Sequence, residues 1–232
     1  MTRWLIGAFA SAALFTFQAG SASGGVITLD AVERGFITQA GATNPTNLPP
    51  GDRDYLLGNC ALASCFTTGG GEYRDFFGFA IPLFSGTVTS VELQIDTVGV
   101  DLSQSPTLTA NFASLNTTSS FAALGTGTTY GSTTYGAADA NSFRSIALNQ
   151  SAISAILADQ GGTFLVGGRT ISATAFDPAA PNQLVYEHSG PQNLTRLVIT
   201  TSSIPEPGTL AMLCTGVIAL LGARCWRRLG RA

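Results

Sequence analysis

Val91-Glu92-Leu93-Gln94-Ile95-Asp96 alternates apolar and polar residues without a break. Such period-2 spacing puts the three aliphatic side chains on one face of an extended strand and the three polar ones on the other. The alternation recurs on both sides of this stretch. Ile27, Leu29 and Ala31 interleave with Thr28 and Asp30, Phe77, Phe79 and Ile81 with Gly78 and Ala80, and Leu108, Ala110 and Phe112 with Thr109 and Asn111. Ile146 and Leu148, Phe164 and Val166, Leu184-Val185-Tyr186, and Leu197 and Ile199 continue it. Each run is bounded by Gly, Pro, Asn, Asp or Ser, the residues of turns. Many short, half-buried strands predict an all-β fold, an antiparallel, jelly-roll-like β-sandwich.

One short helix interrupts the strands. Asn149 is placed to cap residues 150–159, Ile153, Ile156 and Leu157 fall at i, i+3 and i+4, and Gly161 follows the end. The stretch NPTNLPPGDRD at 44–54 reads as a Pro-rich loop. Residues 115–135 are rich in Thr, Gly and Ser, with TTYG at both 128 and 133, and take no strand assignment.

Composition narrows the function. The chain has 232 residues and a net charge of −3; 45% of residues are hydrophobic and 11% charged, against about 25% charged in an average soluble domain. All 11 basic residues are arginine. A nucleic-acid partner is excluded, because its recognition needs a concentrated basic surface. Between the two ends, Gly24–Ser203 holds 6 arginines and 13 acids, a net charge of about −7, and is long enough for one sizeable core.

The ends are apolar where the body alternates. Residues 1–23 have the form of a signal peptide: Arg3, then an uncharged run at 4–17 (WLIGAFASAALFTF), then small residues ending in Ser21-Ala22-Ser23. That run is shorter than the ~20 residues of a bilayer span, which favours cleavage over anchoring. At the other end, residues 209–223 (TLAMLCTGVIALLGA) form an uncharged stretch that covers about 22 Å as a helix. Gly208 and the stem of Arg224 extend it towards the ~30 Å of a hydrocarbon core. Arg224, Arg227, Arg228 and Arg231 follow, with Trp226 among them. Positive charge on one flank places this tail in the cytoplasm and the body on the far side of the membrane. Ahead of the stretch stands Pro205-Glu206-Pro207, which can neither continue a strand nor enter a helix interior.

Pro-Glu-Pro, a short span and an arginine tail, in that order over residues 204–232, resemble the PEP-CTERM sorting signal of Gram-negative bacteria. The resemblance implies recognition of Pro205, Glu206 and Pro207 by an exosortase, a membrane-embedded cysteine enzyme that removes the tail. Partners so implied are the exosortase, the secretion machinery, the inner membrane in passage, and an exopolysaccharide of the producing strain. The expected location is the inner membrane as precursor, then the cell surface or extracellular matrix. Within the body, Tyr73-Arg74-Asp75-Phe76-Phe77-Gly78-Phe79, residues 85–93, Ile146-Ala147-Leu148-Asn149 and Gly161-Gly162-Thr163-Phe164 are similar in order to a group of secreted bacterial β-sandwich proteins that carry such tails. That similarity implies a fold and no activity. The expected division is a signal peptide at 1–23, a β-sandwich at 24–203 and the sorting signal at 204–232.

Four cysteines remain to be placed. Cys214 and Cys225 lie in or beside the span. Cys60 and Cys65, spaced C-x4-C, predict a local disulfide in an oxidising compartment, with no second pair or nearby histidine to make a zinc site.

Catalytic signals are sparse. His188, the only histidine, sits beside Glu187, and neighbours on a strand point to opposite faces. No G-x-S-x-G elbow is present. The carboxylate pairs Asp52/Asp54, Glu72/Asp75 and Asp96/Asp101 are the candidates for a glycosidase, which needs two such groups ~5 to 9.5 Å apart. Asp139, Asn141 and Asp30 are candidates for a structural calcium ion; no other cofactor is expected. Tyr130 and Tyr135, with Tyr55 and Tyr73, are the aromatics available to stack on sugars, although both tryptophans, Trp4 and Trp226, fall outside the body. The expectation is therefore an exported, non-enzymatic surface or matrix protein, with a carbohydrate-binding module as the alternative and a glycoside hydrolase behind it.

Overall fold

The computed structural model describes residues 24–43, 53–60, 71–118, 120–172, 182–187, 195–202 and Gly216. Gly24–Ser203 forms one compact unit and the two terminal segments are grouped apart from it; the fold below is that of the body.

Among the described residues, twelve strands and one α-helix make up its regular structure. The strands are β1 (Val26–Asp30), β2 (Glu33–Thr38), β3 (Tyr55–Cys60), β4 (Gly71–Ala80), β5 (Thr87–Thr97), β6 (Gly99–Leu102), β7 (Thr107–Ser114), β8 (Thr129–Gly136), β9 (Ser142–Leu148), β10 (Thr163–Thr170), β11 (Gln183–Glu187) and β12 (Thr195–Ser202); helix α1 spans Gln150–Ala158. All strand pairs are antiparallel. They form a four-stranded sheet, β1-β12-β5-β9, and an eight-stranded one, β6-β11-β3-β4-β10-β7-β8, with β2 also on β4.

The alternation that opened the sequence reading is what joins the two sheets. Val91, Leu93 and Ile95 of β5, Leu197 and Ile199 of β12, and Ile146 and Leu148 of β9 point from the small sheet into one buried cluster. Phe77 and Phe79 of β4, Phe112 of β7, and Phe164 and Val166 of β10 meet them from the large sheet. Burying a side chain of this size stabilises by about 1.5–3 kcal/mol, so this layer dominates the fold.

The eight runs expected to be strands are strands, although β1 ends at Asp30, before Ala31, and β4 at Ala80, before Ile81. Four further strands, β2, β3, β6 and β8, were not expected. In β3 all six residues are buried, and in β2 five of six, so neither shows a polar stripe. A second cluster, Phe36, Leu56, Cys60, Tyr73 and Leu184, and a third, Ile37, Phe76, Leu115 and Leu124, supply the additional cover. Residues 121–124 are held there by Arg74, whose guanidinium stacks 4.1 Å from the Phe121 ring and donates to the Phe121 and Leu124 carbonyls at 3.2 and 3.3 Å.

Helix α1 begins where expected. The Asn149 side chain accepts from the Ser151 and Ala152 amides. Ile153 and Ile156 are buried, whereas Leu157, expected on the same apolar face, is largely exposed. Gly161 then takes a φ of +80°, the left-handed geometry that glycine adopts without strain.

Candidate functional site

Both ends of the body leave from one pole. Gly24 and Gly25 lie against Thr201, whose hydroxyl accepts from the Gly25 amide and whose amide donates to the Gly25 carbonyl. Ser202, the last residue of β12, is opposite Thr87, the first of β5. Helix α1 belongs to the same pole, because it joins the end of β9, opposite Val91, to the start of β10, opposite Ala80. The Ile81 amide donates to Gly162 and the Gly161 amide to Ile81, tying the β4–β5 loop to the helix end.

The opposite pole collects carboxylates. β1 ends at Asp30, β5 passes Asp96 to Thr97, β6 carries Asp101, and Asp139 stands between β8 and β9. Asp139 is fully occupied: Oδ2 accepts from the Gly136 amide and Oδ1 from Arg144 at 3.0 Å. Asp30 pairs with Arg196 at 3.1 Å on the far edge of the small sheet. Three strand spacings, about 14 Å, separate the two edges of that sheet, so Asp30 and Asp139 do not converge. Asn141, two residues after Asp139, has a φ of +56° at the turn into β9. Among the described residues there is no group of three or more His, Cys, Asp or Glu placed to hold a metal.

Of the carboxylate pairs read from the sequence, Glu72/Asp75 is split between the two faces of β4 and Asp96/Asp101 between the two sheets. Glu72 shares a face of β4 with Arg74 and pairs with it at 2.8 Å, while Asp75 points through the other face. Asp101 accepts from the Ser103 hydroxyl and the Asn182 amide. Asp96 belongs to the small sheet and Asp101 to the large one. Partial burial raises the Asp96 pKa, and the Arg34 charge pulls it back. Asp54 is half-buried. Asp52 and His188 lie outside the described residues.

The tyrosines need correction. Tyr130 and Tyr135 are 5% and 1% exposed and sit in the main core, and Tyr55 and Tyr73 are buried as well. The reason for the first two is a β-bulge. β8 slips register against β7 between Phe112, opposite Gly131, and Ala113, opposite Thr129. Tyr130 falls in the slip, so two tyrosines of opposite parity both turn inward. Tyr130 stacks on Phe164 with ring centroids 5.4 Å apart, and burial raises the pKa of both phenols. None of these four rings presents a face to a sugar.

One group was missed. Asp75 is fully buried on the inward face of β4, in line with Phe77 and Phe79. Neither carboxyl oxygen has a well-aligned hydrogen bond. Desolvation pushes its pKa up to about 8, and the backbone amides of Asp75 and Gly168 oppose the shift. A side chain at Gly168, its register partner on β10, would collide with Oδ1. The signal was available, since an acid at inward parity in a Phe-rich strand must be buried.

Cys60 ends β3 and is buried; Cys65 lies outside the described residues. So do the signal-peptide segment, Pro205, Glu206, Pro207, the apolar segment apart from Gly216, and Arg224, Arg227, Arg228 and Arg231. Among the described residues no helix is long and apolar enough to cross a membrane.

No curated protein matches the chain. A family model described as the PEP-CTERM protein-sorting motif matches residues 203–228. The match begins one residue after β12 ends and includes Pro-Glu-Pro, the apolar stretch and three of the four arginines of the tail. The chain thus carries the PEP-CTERM protein-sorting motif behind an antiparallel β body, a motif that marks an exported protein for exosortase-dependent sorting to the cell surface.

Proposed function

We propose that the chain is a non-enzymatic surface or matrix protein of a Gram-negative bacterium, held in the inner membrane by residues 209–223 until an exosortase removes that segment. The body is then a jelly-roll-like cargo associated with exopolysaccharide. The observation that carries this reading is the sorting-motif match at 203–228. Pro205, Glu206 and Pro207 serve recognition, the ring-fixed φ of the two prolines favouring an extended, accessible backbone. Arg224, Arg227, Arg228 and Arg231 hold the tail on the cytoplasmic side, and the signal peptide at 1–23 brings the body across.

The non-enzymatic reading is supported by the dispersal of the acids: Asp30, Asp101 and Asp139 are committed to protein partners, and Asp75 is sealed in the core. The body needs no cofactor; a structural calcium ion is the alternative that a chelator-induced fall in Tm would reveal. A Cys60–Cys65 disulfide closes the loop after β3, and alkylation with and without reductant, followed by mass measurement, tests it.

Replacing Pro205-Glu206-Pro207 by three alanines in the producing cell tests the function. The expected outcome is an untrimmed chain retained in the inner membrane, read by intact mass and fractionation. Normal trimming of that variant would falsify the recognition role.

A further inference from the structure

The pole from which both body ends emerge is built from four stretches, 24–27, 81–90, 150–163 and 199–202. They carry a single charged residue, Asp159, of the 19 in the body. The same pole displays apolar side chains. Leu83 is 80% exposed, Val26 at the start of β1 65%, and Leu157 on the last turn of α1 42%. Leu83 stands over the Gly161 turn, and the Phe84 amide reaches Gln160 from the same loop. Asp30, Asp96, Asp101 and Asp139 all lie at the other pole, where Phe143 and Ile171 are exposed as well, and Glu33 stands opposite Gly78, two residues short of the α1 end of β4.

We propose that this α1 pole is a lipid-docking face that rests on the outer leaflet of the membrane holding the uncleaved tail. The inference rests on the reading of 209–223 as a membrane span. Ser202 is seven residue steps from Thr209, about 25 Å when fully extended. The far pole is a strand length away, since β5 has 11 residues and so measures about 36 Å. Touching the bilayer with the acidic pole would lift Ser202 beyond the reach of that tether. A pole that carries Asp159 as its one charge, with exposed leucines beside it, is also the one that an anionic leaflet repels less. Before the signal peptide is cut, Gly24 holds the same pole down from the other end. The docked body keeps Pro205-Glu206-Pro207 at the surface where a membrane enzyme works.

The body contains no tryptophan, so a single introduced indole reports its depth. The full chain is reconstituted in vesicles of phosphatidylcholine and phosphatidylglycerol, with and without bromine on the acyl chains, and Trp4 replaced by Phe throughout. With Trp226→Phe, Leu83→Trp is expected to emit at shorter wavelength and to lose about twofold in intensity on bromination, as a side chain at the headgroup–acyl boundary does. Ser105→Trp, exposed at the acidic pole, is expected to show neither change. Equal quenching at both positions overturns the proposal. Leu83→Trp emission that is blue-shifted yet indifferent to bromine also overturns it, in favour of a second copy of the chain over the patch. Retained Trp226 reports the tail alone. Quenched Trp226 with unquenched Leu83→Trp defeats the docking face and leaves the span intact, whereas unquenched Trp226 defeats the span and the docking face together.

Discussion

Replacing Asp75 by Asn should make this protein more stable at neutral pH and less sensitive to pH. The carboxyl is fully buried, and its folded pKa is raised from 3.8 to about 8. The native state therefore keeps its proton over a range in which the unfolded chain releases it. The favourable term is fully present below about pH 4 and is lost as the pH rises towards 8. From 3.8 to 7, at about 1.4 kcal/mol per unit, the loss is about 4 kcal/mol at neutral pH. For a domain of this length that corresponds to about 10 °C in Tm. Asn has nearly the same shape and no proton to lose, so the Asp75→Asn protein should hold its Tm over this range. Thermal melts followed by circular dichroism at half-unit steps from about pH 4.5 to 8.5 provide the comparison. Asp96, shifted the same way by burial, and every other titrating group contribute to both proteins and cancel in the difference. Two melting curves that run parallel across the range would refute the reasoning, because Asp75 would then be ionised in the folded state or already paired.

Gly168→Ala should destabilise by about 3 kcal/mol, since the added methyl meets the Asp75 carboxyl and the Phe112 ring. Part of that loss should return in the Gly168→Ala, Asp75→Ala double variant, and strictly additive urea midpoints would show that the collision is not the cause. Asn149→Ala should cost about 1–2 kcal/mol, because the side chain both caps α1 and donates to the Thr129 carbonyl at 2.8 Å; an unchanged Tm would contradict this. Trimming of the Pro205-Glu206-Pro207 variant and the depth of Leu83→Trp test the two functional readings directly.

Much of the fold was legible in the sequence because the small sheet is covered on one side only. Val91, Leu93 and Ile95 point to the core while Glu92 and Gln94 stay at the surface, and that difference is what a period-2 pattern records. β2 and β3 left no such record, being covered on both faces by separate clusters. β8 was hidden for another reason. Its threonines and serines are turn-like in composition, and the bulge at Tyr130 breaks the parity that would have marked a strand. The same bulge is why Tyr130 and Tyr135, offered by the sequence as rings for sugar stacking, are both buried. The helix was found from its cap and spacing, yet Leu157 stayed exposed, because a stripe about 100° wide exceeds the contact a short helix makes over a sheet end. The sorting motif was legible because it depends on local order, residue class and sign of charge rather than on tertiary contacts.

The position of β12 has a consequence for the small sheet. This strand is the last of the body to be synthesised, yet it occupies an interior place in the small sheet, flanked by β1 on one side and β5 on the other. Until residues 195–202 arrive, β1 has no neighbour in its sheet, and Ile27 and Leu29 have no partners beside them. A chain that ended before residue 195 would leave the small sheet with β5 and β9 paired and β1 without its ladder partner. The strand that completes the small sheet is thus the one that adjoins the sorting motif, so the last stretch of the body to be made ties its first strand to the rest.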